Sequence, residues 1–222
     1  LVSTGGFMSL FDGVAGCYDA FFDTRLGKAV LHYELQLIMK MLDPKSGLST
    51  LDAGCGTGVF TEQLVKSGMT VTGFDESEKM LEVASKKPDL KRTKFLKGDI
   101  HNLPFEDASF DRVLCAFVVE FLENPKTAIR EFWRVLKPGG VLVVATLNSK
   151  GAWADSRKAD PFWHNATFRT DDELLALGPT GGAARHCVFF PPTTKVFFGV
   201  HETLGRCKGS DEGAAVIARW VR

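Results

Sequence analysis

The stretch Leu51-Asp52-Ala53-Gly54-Cys55-Gly56-Thr57-Gly58 carries residue types suited to holding a ligand. An apolar, β-leaning run ends on an acid, three glycines follow at alternate positions, and a helical pattern opens at Val59-Phe60. Glycine has no Cβ, so such a turn takes positive φ and lets a ligand touch the backbone. A strand feeding a glycine-rich turn and then a helix N-terminus is a nucleotide-binding design. The spacing here is G-x-G-x-G. A dinucleotide fingerprint, G-x-G-x-x-G, needs glycine where Val59 stands. The acid Asp52, two residues before the first glycine, disfavours a pyrophosphate and suits an ammonium or sulfonium group.

Further candidates sit where later strand-like runs end. Asp75 closes the run Thr70 to Phe74, and a carboxylate there accepts both hydroxyls of a ribose. Asp99-Ile100 offers an acceptor for an adenine amino group beside an apolar side chain for the ring. Met80 suits an adenine face, because a thioether packs well on aromatic rings. Ala116-Phe117 is small and apolar where a reacting centre would pass. Taken singly, Asp75 and Asp99 also suit caps or turns and Met80 suits a core. Together they stand at successive strand ends, where ligands of open α/β sheets lie.

The elements that must position these residues alternate in period. Leu31, Leu35, Ile38, Met39 and Leu42 recur at helical spacing until Asp43-Pro44. Strands are expected at 49–52, 70–74, 94–96, 110–116 and 141–146, and helices at 59–67, 77–85 and 125–136. Lys137-Pro138-Gly139-Gly140 reads as a turn. Such alternation predicts an α/β fold with a parallel sheet covered by helices on both faces. Later, Thr170 and Glu173 suit a capping box for a helix over 170–177. Strand-like runs at 185–190 and 214–221 predict an antiparallel hairpin at one sheet edge.

At 222 residues the chain is expected to form a single domain with a full core. Lys+Arg and Asp+Glu balance at 27 each, which leaves no basic footprint for nucleic acid. The five cysteines are odd in number and form no C-x-x-C, so no metal site is expected and reduced thiols in a cytoplasmic protein are. No apolar run is long enough to span a membrane.

Several motifs stand in order along the chain: Asp52 to Gly58, Gly73-Phe74-Asp75-Glu76-Ser77 with Met80-Leu81, Gly98-Asp99 with Leu103-Pro104-Phe105, Phe110-Asp111, and Glu131 with Arg134 to Gly140. They are similar to the class I S-adenosylmethionine (SAM)-dependent methyltransferases, in particular the small-molecule enzymes grouped with ubiquinone and menaquinone biosynthesis. Phe11-Asp12 to Tyr18-Asp19 resembles the family's opening segment, which covers the cofactor. The resemblance implies a Rossmann-like, seven-stranded, mostly parallel sheet with an antiparallel edge hairpin. It implies SAM as cofactor and methyl transfer to a small-molecule acceptor. The implied cofactor contacts are Tyr18, Asp52, Ala53, Gly54, Cys55, Gly56, Gly58, Asp75, Glu76, Met80, Asp99, Ile100 and Ala116.

No catalytic residue is assigned. His32, His101, His164, His186 and His201 are scattered, and Glu120 stands where the family often carries histidine. Glu120 also suits a helix start, where the dipole favours a carboxylate. The opening segment 1–30 is expected to act as a cap, and 148–170 and 191–212 as insertions on the acceptor side. Their aromatics, with Phe21, Phe22, Trp153, Phe162 and Trp163, suggest an apolar or aromatic acceptor. Two other readings are a SAM-binding regulatory module without transferase activity and a nicotinamide-dependent oxidoreductase.

Overall fold

The computed structural model describes residues 11–196 and 198–222. Its centre is a seven-stranded sheet of order β3-β2-β1-β4-β5-β7-β6. The strands are β1 (Ser49–Ala53), β2 (Thr70–Asp75), β3 (Lys94–Lys97), β4 (Phe110–Ala116), β5 (Leu136–Leu147), β6 (Ala183–Cys187) and β7 (Ala215–Val221). β1 to β5 pair in parallel, and β7 runs antiparallel between β5 and β6. This is the expected architecture.

The helices are α1 (Ala20–Asp23), α2 (Arg25–Leu42), α3 (Val59–Lys66), α4 (Glu78–Lys86), α5 (Pro125–Val135), α6 (Ala154–Lys158), α7 (Asp171–Leu175) and α8 (Phe198–Cys207). α2 begins earlier than its apolar spacing predicts, because Thr24 caps it by accepting from the Gly27 amide at 2.9 Å. Ser77 caps α4, and Thr170 and Glu173 form the expected capping box on α7.

Alternation along the strands splits the core into two layers. Val141, Val143 and Ala145 of β5 face α2, meeting Ile38, Met41 and Leu42. Leu142 and Val144 face α5, meeting Ile129, Phe132 and Val135. Burial on both faces explains why these strands read as continuous apolar runs.

One local expectation fails. Lys137 to Gly140 is a bulged part of β5, not a turn ahead of it. Pairing steps from Phe110–Leu136 directly to Arg112–Val141, so the intervening residues bow outward. A distant partner holds them there: the Gly139 amide donates to the Arg222 carbonyl at 2.7 Å, and the Arg222 amide to Gly140 at 3.0 Å.

Candidate active site

Strand order reverses between β1 and β4, and a cleft opens beyond their carboxyl ends, where ligands of open α/β sheets lie. Each parallel strand delivers its next residues to the wall. β1 contributes Gly54, Cys55 and Gly56, and β2 contributes Asp75 and Glu76. The turn after β3 contributes Asp99 and Ile100, and β4 contributes Ala116. Met80 enters from α4 and Tyr18 from the opening segment. Ten of the residues picked from sequence thus converge on one cavity.

Three others stand behind its wall. Asp52 was expected to face a ligand from within the loop. It lies instead inside β1, only 1% exposed, where Oδ2 accepts from Thr61 Oγ1 of α3 at 2.6 Å. Burial pushes its carboxyl up to about 7, against the pull of the Thr61 hydrogen bond. Its place ties the strand to the helix that follows. Ala53 is fully buried core, and a Cβ on Gly58 would meet Leu90 at 2.6 Å, so Gly58 serves helix packing.

Gly56 differs. Its φ is +51°, and a Cβ there would meet nothing within 4 Å, so the missing side chain leaves open space on the cavity wall. Its amide donates to Asp75 Oδ2 at 2.8 Å, and the Ser77 amide donates to Asp75 Oδ1 at 2.9 Å. The acid is therefore fixed by two backbone donors, and its remaining lone pairs are available to a ligand's hydroxyls. Desolvation raises the Asp75 carboxyl, and these backbone donors oppose the rise. Asp99 is partly engaged: Oδ1 takes both the amide and Nδ1 of His101, at 2.8 and 2.7 Å. Its other oxygen forms no hydrogen bond among the described residues. Glycine cradle, fixed carboxylate and the Met80 thioether suit an adenosine-bearing ligand such as SAM.

Sequence reasoning named Phe11, Phe117 and Phe162 but did not single out Phe60 and Phe121, which complete an aromatic rim with them. Phe60 and Phe117 line the cavity with centroids 5.8 Å apart. Phe117 holds φ +59°, a conformation uncommon for a bulky residue, while its amide donates to Ala145. Phe11 and Phe121 also line the cavity, and each packs edge-on against Phe162. The opening segment and the 148–170 insertion therefore meet at the mouth. Trp153 does not join them. It is 7% exposed in the core, donating Nε1 to the Phe190 carbonyl at 2.8 Å. Phe21 is exposed, and no described residue of the 191–212 region lines this wall. Glu120 does stand in the first turn of a short helical element, but it is buried. It lies 1% exposed in the 3-10 turn Val119–Phe121, with Oε2 accepting from Thr146 at 3.2 Å.

Comparison with known proteins agrees with this geometry. The Methyltransferase domain family matches residues 51–144, from β1 into β5. A solved SAM-dependent methyltransferase of Thermotoga maritima, described as a possible histamine N-methyltransferase, superimposes with a TM-score of 0.75 at 26% identity, covering 96% of this chain and 98% of that one. The chain has the class I SAM-dependent methyltransferase fold, and its residues 51–144 carry that family's methyltransferase domain. Among its methyltransferase relatives, a demethylmenaquinone methyltransferase of Paenarthrobacter aurescens is 34% identical over 158 residues, 71% of this chain and 58% of that protein. A malonyl-[acyl-carrier protein] O-methyltransferase of Pectobacterium atrosepticum is 35% identical over 137 residues, 62% and 51% of the two chains. The chain thus spans about half the length of these curated relatives. SAM is the cofactor of the family. Among the described residues, no group of side chains is arranged to hold a metal, and no helix is long and apolar enough to cross a membrane.

Proposed function

We propose that this methyltransferase-family protein moves a methyl group from SAM to a small-molecule acceptor with an apolar or aromatic body. The observation that carries the reading is the Gly56–Asp75 pair. One backbone amide joins the open glycine cradle to the acid at the end of β2, so both are held in place before any ligand arrives. Asp75 would take the ribose hydroxyls, and Met80 and Ile100 would flank the adenine ring. Asp99 would accept from its amino group, and Tyr18 would close over the methionine end. Bound there, SAM supplies an electrophilic methyl group on a positively charged sulfur. The protein's share is to position the acceptor in line and exclude water, because the sulfur leaves neutral. The aromatic walls of Phe22, Phe60 and Phe117 serve that exclusion.

Two measurements test this. Calorimetric titration should show binding of SAM and S-adenosylhomocysteine, with no heat from NAD. Incubation with methyl-labelled SAM and fractionated metabolites should then label a small molecule. Binding of NAD without SAM would replace the reading with a nicotinamide enzyme. Tight SAM binding with no labelled product from any fraction would favour a regulatory module.

A further inference from the structure

α2 and α8 cover the same core layer on one face of the sheet. Tyr33 of α2 and Phe198 of α8 both lie against Phe190, with ring centroids 5.9 and 4.9 Å from it. The helices approach so closely that a Cβ on Gly199 would come to 3.3 Å from the Tyr33 hydroxyl. Two neighbouring helices on one face of a sheet turn their solvent sides the same way, so what each exposes forms one surface.

α2 exposes Arg25, Lys28, His32, Gln36 and Lys40, spaced three or four residues apart and therefore aligned in one stripe. Its one acid, Glu34, is on the buried side. α8 inverts the usual pattern of a surface helix. Phe198 and Glu202 turn inward, while Val200 and Leu204, one turn apart, stand outward at 56% and 51% exposed. Val196, just ahead of α8, and Phe21, four residues before Arg25, are exposed as well. These are four of the five exposed large apolar side chains among the described residues, and such clustering marks an interaction surface.

The charge on this surface has one sign. Lys195 and Lys208 flank α8. With Arg25, Lys28 and Lys40 they form no ion pair among the described residues, whereas the one acid of α8, Glu202, is buried and paired with Arg206. The acids at the margins are Asp23 and Asp43 at the ends of α2 and Asp211 and Glu212 beyond α8. Asp43 holds Lys45 and Arg112, and Asp211 holds Lys150. A chain of zero net charge thus sets a stripe of unpaired cations beside an apolar ridge. The stripe also leads to the site, because Arg25 stands three residues after Phe22, which lines the cavity.

We propose that the outward sides of α2 and α8 dock on a phospholipid bilayer bearing anionic headgroups, from which an acceptor with an apolar body is taken up. Cations alone suit any polyanion, and an apolar ridge alone suits any apolar partner. The two together match a surface with negative charge at its rim and hydrocarbon just beneath. Lysine stems are long and apolar, so their ammonium groups reach phosphates while Val200, Leu204 and Phe21 enter the boundary of the acyl chains. The link to the acceptor rests on the methyl-transfer reading above. Lipid binding itself needs neither SAM nor acceptor, so the two fail separately.

The test is co-sedimentation of the whole protein with vesicles at about 0.1 M salt. Phosphatidylcholine vesicles containing about one-third phosphatidylglycerol should bind it about tenfold or more tightly than pure phosphatidylcholine vesicles. Raising the salt to about 0.5 M should remove most of that preference. Lys28→Glu with Lys40→Glu, and separately Val200→Ser with Leu204→Ser, should each weaken binding about tenfold or more. All four side chains are exposed, so an unchanged melting temperature should report an intact fold. No binding to either vesicle, equal binding to both, or binding that survives either pair of substitutions overturns the docking surface. Retention on immobilised polyglutamate with none on vesicles overturns it too, and makes the partner an acidic protein. Vesicle binding by a protein that binds no SAM overturns the methyl-transfer reading instead.

Discussion

Thr57 of the glycine turn donates through Oγ1 to Asp19 Oδ1 at 2.6 Å, so that turn is bonded to the segment that precedes α2. A second tie runs from Ser77 Oγ to Asp12 Oδ1 at 2.5 Å, and Asp19 also pairs with Lys87 at 2.8 Å. The opening segment is thereby latched to the turns after β1 and β2, the two that hold Gly56 and Asp75. Hydrogen exchange over residues 11–23 should slow when S-adenosylhomocysteine is added, by more than in the central strands. Asp19→Ala should weaken that protection. Protection confined to residues 52–58 and 75 would mean that the segment is not a lid.

The ribose contact proposed for Asp75 makes its own prediction. Asp75→Asn keeps volume but turns one acceptor into a donor. At stake are two charge-assisted bonds of roughly 1.5–3 kcal/mol each, partly offset by hydration. S-adenosylhomocysteine should therefore bind about tenfold or more weakly, since about 1.4 kcal/mol is a factor of ten. An unchanged dissociation constant by calorimetry would remove Asp75 from the site.

Two glycines of the loop should respond in opposite ways to alanine. Both have positive φ, which costs an L-residue roughly 1–2 kcal/mol. A Cβ on Gly54 would also come within 2.3 Å of Val118, adding an overpacking cost of about 1–3 kcal/mol. Gly54→Ala should thus lower the melting temperature more than Gly56→Ala. Gly56→Ala should lose cofactor affinity with less loss of stability. Equal melting temperatures would show that Val118 moves aside freely.

Glu34 should leave a signature in the pH dependence of stability. The unfolded chain loses this proton near 4.5, whereas the native protein keeps it to about 8. Across that interval the native state binds more protons, so this group's contribution to stability falls as pH rises. Glu34→Gln lacks the liability. Its stability relative to the unaltered protein should climb from about pH 4.5 to about pH 8 and then level off. The slope should be no steeper than about 1.4 kcal/mol per pH unit. Urea unfolding at a series of pH values measures it, and a flat difference would mean that Glu34 is ionised throughout.

The parts of this molecule that were legible in sequence are those in which cause and effect are neighbours along the chain. A strand's last residue and the turn after it are adjacent, so Gly54, Asp75, Asp99 and Ala116 could be placed at strand ends from period alone. Thr170 and Glu173 announced their helix for the same reason. Asp52 was misplaced because its acid could serve a ligand or Thr61, and only the packing of α3 on β1 decides between them. Lys137 to Gly140 has the local chemistry of a turn, but Arg222 holds it in the sheet. The aromatic rim joins Phe11, Phe121 and Phe162. No periodicity relates residues that far apart in the chain, so only the tertiary fold brings them together.

The position of β7 bears on how the sheet is made. β5 and β6 are both synthesised before it, yet β7 lies between them and hydrogen-bonds each. Until it arrives, the outer edge of β5 is an unpaired row of backbone groups flanked by apolar side chains. Ile217 and Trp220 are missing from the two core layers at that stage. Such an edge is a template for another chain. The nascent protein therefore passes through an interval in which its longest strand can recruit a neighbouring chain, and closure depends on contacts of high sequence separation, which form slowly. Chaperone demand and inclusion-body formation should be governed by this step.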